Sequence, residues 1–175
     1  MNILQLVPFL SLLFLGFTNI KPDYLNWSAD KKISFADFKA QAPKGKSAEA
    51  VSLSTLISYE IRQEAKKPPQ IKIANLLDRN ASWIKTKNQD ILAIQQIKFD
   101  YSELYARKIR KEIKSMNQKK VTDQKKYLQV ITHYSNQFEK TQRKRNVLLQ
   151  DQPHLIKIMQ KDIKDSLNLM KAFVQ

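Results

Sequence analysis

Apolar positions recur along the second half of the chain in steps of three and four. Between Asn88 and Ser115 they fall at Ile91, Ile94, Ile97, Tyr101, Leu104, Tyr105, Ile109 and Ile113, one stripe on a helix of about 3.6 residues per turn. Neither Gly nor Pro interrupts the run, so the spacing predicts a long amphipathic helix there. A polar connection, Met116 to Thr122, leads to a second helix over about Asp123–Gln150, capped by Thr122 or Asp123. Its apolar face is Tyr127, Val130, Ile131, Tyr134, Phe138 and Val147. Asp151 and Pro153 read as the cap and first-turn proline of a third helix. Its stripe is Leu155, Ile156, Met159, Ile163, Leu167, Met170 and Phe173.

Upstream of residue 88 the period changes to two. Ile33 and Phe35 alternate with polar neighbours, which predicts a short strand with one buried face. Residues 49–66 carry Val51, Leu53, Leu56, Ile57, Tyr59 and Ile61, mostly alternating and rich in β-branched and aromatic types, as in a longer strand. Lys67-Pro68-Pro69 breaks it, and Gln70–Asp78 reads as the return strand of a hairpin, with helix an alternative for Ala74–Leu77. Ala42–Lys46, with Pro43 and Gly45, is a loop. The fold class is therefore α+β: a small antiparallel sheet over residues 30–80 followed by three long helices.

Residues 1–18 form an apolar N-terminal segment. The run Ile3–Phe17 is short of the roughly 20 apolar residues that span a bilayer and has the length of a signal-peptide core. No Lys or Arg precedes it, and Gly16 and Thr18 are the small residues available for cleavage. The chain is read as a signal peptide or N-terminal membrane segment over 1–18 and one domain over 19–175, whose C-terminal helix covers 151–175. The expected location is periplasmic or secreted, tethered to the membrane where the segment is not cleaved.

Composition narrows the chemistry. With 175 residues one domain can bury a real core. Only 2 Gly favour long regular elements over tight turns, and the absence of Cys removes disulfides and thiolate metal sites. Two His exclude a three-histidine zinc site. The 31 Lys and Arg against 16 Asp and Glu give a net charge of +15, which attracts nucleic acid, anionic lipid or acidic polymers. Lys dominates and is spread along the helices, as on solvated faces; Arg143-Lys144-Arg145 reads as a solvated helix end or a phosphate patch. No phosphate-binding Gly loop and no nucleophile-elbow motif is present. Asp100 and Glu103 share a helix turn, and Arg107 completes an i, i+4 ion pair.

The stretch Ser82-Trp83 … Phe99-Asp100 … Tyr105-Ala106-Arg107-Lys108 resembles the active-site helix of a bacterial family of secreted zinc-dependent protease-like proteins, a zincin-like family catalogued as a domain of unknown function. Its pattern reads SW…HExxHFD…YARKLRK. Trp27 and Ile33–Lys39 resemble the family's opening segment, and Tyr127…His133-x-x-Asn136 its Y…TxHGxN segment. The resemblance covers about residues 25–146. It implies a minimal zincin layout, a sheet over an active-site helix. In HExxH two imidazoles one turn apart reach one zinc, and the Glu acts as general base for the zinc-bound water. The two His positions are here Ile94 and Lys98, and the general-base position is Gln95. Ile94 has no lone pair, Gln95 takes up no proton at neutral pH, and Lys98 carries the charge of the ion it would have to hold. His133 is the one residue that the resemblance leaves at a ligand position, that of the third zinc ligand. The catalytic set is thus absent, and no zinc or other cofactor is expected.

The function expected is that of an exported, catalytically inactive relative of this metallopeptidase-like family, acting by binding a protein or envelope partner. Its N-terminal segment would engage the membrane or the export machinery. The alternatives are an active metal-dependent peptidase with other ligands, and a basic helical module binding nucleic acid or anionic surfaces.

Overall fold

The computed structural model describes residues 22–44, 50–152 and 154–175. The N-terminal apolar segment and Pro153 lie outside the described residues. Strand β4 (Gln70–Asp78) is the centre of a three-stranded antiparallel sheet in the order β1-β4-β3, where β1 is Tyr24–Asn26 and β3 is Thr55–Arg62. Alternation along β4 turns Ile73, Asn75 and Leu77 inward, as a pleated strand with one covered face requires. The β3–β4 hairpin pairs Thr55 with Leu77 and Arg62 with Gln70. A second, two-stranded sheet pairs β2 (Val51–Ser52) with β5 (Trp83–Ile84).

Helix α1 (Gln89–Gln118) is the spine of the molecule. Asn88 caps it, its side chain accepting from the N–H groups of Asp90 and Ile91 at 2.8 and 3.1 Å. Against the sheet, Ala106, Ile109 and Ile113 meet Ile73, and Tyr127 and Ile131 of helix α2 (Gln124–Asp151) close the same cluster. A larger cluster joins Ile97, Tyr101, Leu104 and Tyr105 to Phe138 of α2 and to Ile156, Ile163 and Leu167 of helix α3 (Leu155–Leu169). Ile33, Leu53, Leu77 and Phe99 form a third. Contacts fix the direction of α2 against α1. Tyr127 Oη donates to Asn117 at 2.9 Å, Tyr105 and Thr141 hydroxyls lie 3.0 Å apart, and Gln142 Nε2 donates to the Lys98 carbonyl at 3.3 Å. As numbers fall on α1 they rise on α2, so the two helices are antiparallel.

The α+β arrangement agrees with the sequence pattern; four local expectations do not. No strand forms at Ile33–Phe35. Phe35–Asp37 is a 3-10 turn, because the Asp37 carboxylate reaches back to the N–H and hydroxyl of Ser34 at 2.8 and 2.9 Å. The third strand of the sheet is β1, upstream of the expected region. The single long strand expected over 49–66 is two, β2 and β3, belonging to different sheets. The break falls at Leu53-Ser54, where the Ser54 N–H is taken by the Ser82 hydroxyl at 2.9 Å and Leu53 is buried. Last, α2 runs through Asp151, so that residue ends a helix instead of starting one. The cap expected at Thr122 or Asp123 is Asp123, which accepts from the Lys125 N–H at 2.9 Å.

Candidate ligand-binding cleft

Two helical stripes and one extended segment enclose a cleft of about 820 Å³. On α1 the stripe is Gln89, Leu92, Ala93, Gln96, Asp100 and Arg107, all on one face by their spacing. From α3 and the turn that follows it come Gln160, Lys164, Leu167, Asn168 and Lys171. Trp27, Lys32 and Ile33, between β1 and the 3-10 turn, supply the third wall.

At its base lies a buried polar network that ties these walls together. Asp100 Oδ1 accepts from Trp27 Nε1 at 2.8 Å and from Gln96 Nε2 at 2.7 Å, and Lys32 Nζ stands 3.8 Å from Oδ2. Gln96 is held in turn, its Oε1 accepting from the Ile33 N–H at 2.8 Å. Burial pushes the Asp100 carboxyl above the ordinary carboxylate range. The Trp27 and Gln96 hydrogen bonds and the Lys32 charge oppose that shift without cancelling it. One turn on, Glu103 is fully buried and receives two guanidinium groups, Arg107 Nε at 3.0 Å and Arg110 Nη1 at 2.8 Å. Arg107 Nη1 then donates to the Leu167 carbonyl at 2.6 Å, and Arg110 to the carbonyls of Ile73 and Phe173. The Arg107 guanidinium stacks on Trp27, 5.1 Å from the ring centre.

The residues that the family resemblance names lie in three places. Trp27, Asp100 and Arg107 meet in this network. Ile94, Gln95 and Lys98 do not reach the cleft. Ile94 packs against the α1–α2–α3 core, Gln95 is buried, and Lys98 Nζ donates to the Leu53 carbonyl at 2.7 Å. His133 is elsewhere again. It is exposed on α2, its ring 3.0 Å from Gln137 on the same helix, beside a shallow depression lined by α2 residues alone. The α2 residue beside Lys98 is Gln142, nine positions further along, which is about 13 Å on an α-helix. His133 is therefore not brought to Ile94 and Lys98. Among the described residues no group of three or more His, Asp or Glu could hold a metal ion, and no helix is long and apolar enough to cross a membrane.

The Glu103–Arg107 pair expected at i, i+4 is present. The basic cluster differs in one member: Arg143 and Lys144 are exposed, whereas Arg145 is half-buried with its guanidinium 3.1 Å over the Tyr101 ring centre. Sequence reasoning missed Gln96, Lys32, Lys164 and Lys171. A signal existed in α1 itself, because Gln96, Asp100, Glu103, Arg107 and Arg110 form a polar stripe at helical spacing beside the apolar one. No family model, no curated protein and no solved structure matches the chain.

Proposed function

We propose that this chain is an exported, non-catalytic binding protein on a zincin-like scaffold, and that it takes its ligand in the cleft between α1 and α3. One observation supports this above others: the two faces of α1 are used differently. The face of Ile94 and Lys98, where the resembled proteins hold zinc, is filled by core packing and by an ammonium seated on a backbone carbonyl. The face of Gln96, Asp100 and Arg107 opens a cleft with a fixed polar base. Three side chains that offer no zinc hydrolase its ligands or base, beside a pre-formed cavity of ligand size, are the features of binding without turnover.

Metal analysis of purified protein, with peptide hydrolysis followed with and without chelator, tests the non-catalytic part. The expected result is no stoichiometric zinc and no chelator-sensitive hydrolysis; tightly bound zinc overturns it. For export, a reporter fused after residue 25 is expected beyond the cytoplasmic membrane of a bacterial host. Retention of the full-length protein in the cytoplasm overturns that part alone.

A further inference from the structure

The α1–α3 cleft has an uneven charge. Four cations line it, Lys32, Arg107, Lys164 and Lys171, against the single carboxylate of Asp100. That carboxylate is already engaged: Oδ1 accepts two hydrogen bonds and Oδ2 faces Lys32. Apart from the neutral amides of Gln89, Gln160 and Asn168, the cleft thus offers a ligand ammonium only this engaged carboxylate. Three of the cations gather at one end. Arg107 binds the Leu167 carbonyl; Lys164 lies three residues before Leu167 on α3, and Lys171 four residues after it, in the turn that follows the helix. Arg107 is 4% exposed; its Nε and Nη1 bond Glu103 and the Leu167 carbonyl, and the residue lines the cleft. Toward the start of α1 the walls carry Ile33, Leu92 and Ala93, with Trp27 between, interleaved with the polar side chains of Lys32, Gln89 and Gln96.

Resting on the binding reading above, we propose that the cleft takes a single-chain amphiphile with a carboxylate head, a fatty carboxylate. The head sits against Arg107, Lys164 and Lys171, and the chain lies along Trp27, Ile33, Leu92 and Ala93. A guanidinium and two ammonium groups around one point suit an anion. The apolar wall adds affinity in proportion to the area it removes from water.

Calorimetric titration of the whole protein with dodecanoate below its micelle concentration tests this, alongside acetate, dodecylammonium and vesicles of anionic phospholipid. One dodecanoate per chain is expected, with no measurable binding of acetate or dodecylammonium. Lys164→Glu with Lys171→Glu changes two exposed side chains and is expected to weaken dodecanoate by about tenfold or more. Lys125→Glu with Lys126→Glu, the same charge change on the exposed face of α2, is expected to leave it within about twofold. The proposal is overturned if dodecanoate does not bind, if both double variants weaken it equally, or if vesicles bind and the Lys164/Lys171 change abolishes that binding while leaving dodecanoate binding unaltered. If dodecylammonium occupies the cleft instead, the ligand class is wrong and the binding reading stands. Zinc-dependent hydrolysis overturns the binding reading itself.

Discussion

Asp100 shows how one buried side chain organises a wall of the cleft. Both of its donors, Trp27 and Gln96, bond the same oxygen, Oδ1. Asp100→Asn can keep an acceptor there and is expected to cost no more than about 1 kcal/mol. Asp100→Ala leaves the buried Gln96 amide and the half-buried Trp27 indole N–H without their acceptor and is expected to cost about 1–3 kcal/mol in chemical denaturation. The comparison carries a pH signature. The folded carboxyl titrates above its unfolded value, so its contribution is full below the ordinary carboxylate pKa and is lost as pH rises through the raised one. The Asn variant lacks that loss, so it should gain on the parent as pH rises above the ordinary carboxylate range. A difference that stays constant over that rise would show that burial does not shift this group. Lys98 is a second case. Its bond to the Leu53 carbonyl holds the chain where it passes from β2 to β3, and Lys98→Met is expected to lower stability by about 1–2 kcal/mol. An unchanged melting temperature would place that ammonium in solvent. The resemblance, which has an Asp at the position of Asp100, reads this residue as structural. The sequence did not show Trp27, which lies 73 residues away, because a contact between distant side chains leaves no local period.

At the scale of elements, legibility followed periodicity. The three helices and the 70–78 strand are regular over many residues, and each lies close to where its pattern places it. Ends and breaks were less legible, because single side chains set them. Helix α1 runs to Gln118, into the expected polar connection, and stops in a left-handed residue, Lys120, with φ of 56°. The Lys120 N–H bonds the Asn117 carbonyl at 3.0 Å and the Val121 N–H bonds that of Met116 at 3.1 Å, the two bonds of a Schellman termination. Glycine is the common residue at that position, and a chain with 2 Gly hides the signal. Lys120→Gly is therefore expected to stabilise the protein, by up to about 1 kcal/mol, since the left-handed backbone is strained with a Cβ present. Lys120→Ala, which keeps the Cβ, should give no comparable gain. Equal effects of the two would mean that the lysine side chain, and not its backbone, sets the stability there. The break at Leu53-Ser54 was hidden for a related reason: Ser82, far along the chain, takes the N–H that a continuous strand would have used.

At the scale of the whole molecule, the placement of α2 against α1 decides what the old ligand positions can do. The variant with Ile94→His, Gln95→Glu and Lys98→His restores the resembled motif on α1. If His133 were the third ligand, removing it would abolish any zinc affinity so gained. The antiparallel packing argues otherwise. Gln142 stands beside Lys98, and His133 is level with the far part of α1, where its neighbour Tyr134 joins the cluster of Ala106, Ile109 and Ile113. Zinc–imidazole bonds are about 2.0–2.1 Å long, and some 13 Å of helix separates His133 from the residue beside the site. No rotamer spans that. The triple variant is thus expected to bind zinc weakly, through two His and solvent or a carboxylate, and equally well when His133→Ala is added. Adding Gln142→His places an imidazole on the α2 turn that touches Lys98 and is expected to raise zinc affinity by about tenfold or more. A competition titration against a chromophoric chelator reads all three proteins on one scale. Loss of zinc on His133→Ala, with no gain on Gln142→His, would mean that α2 is shifted along α1 by more than two turns from the packing described.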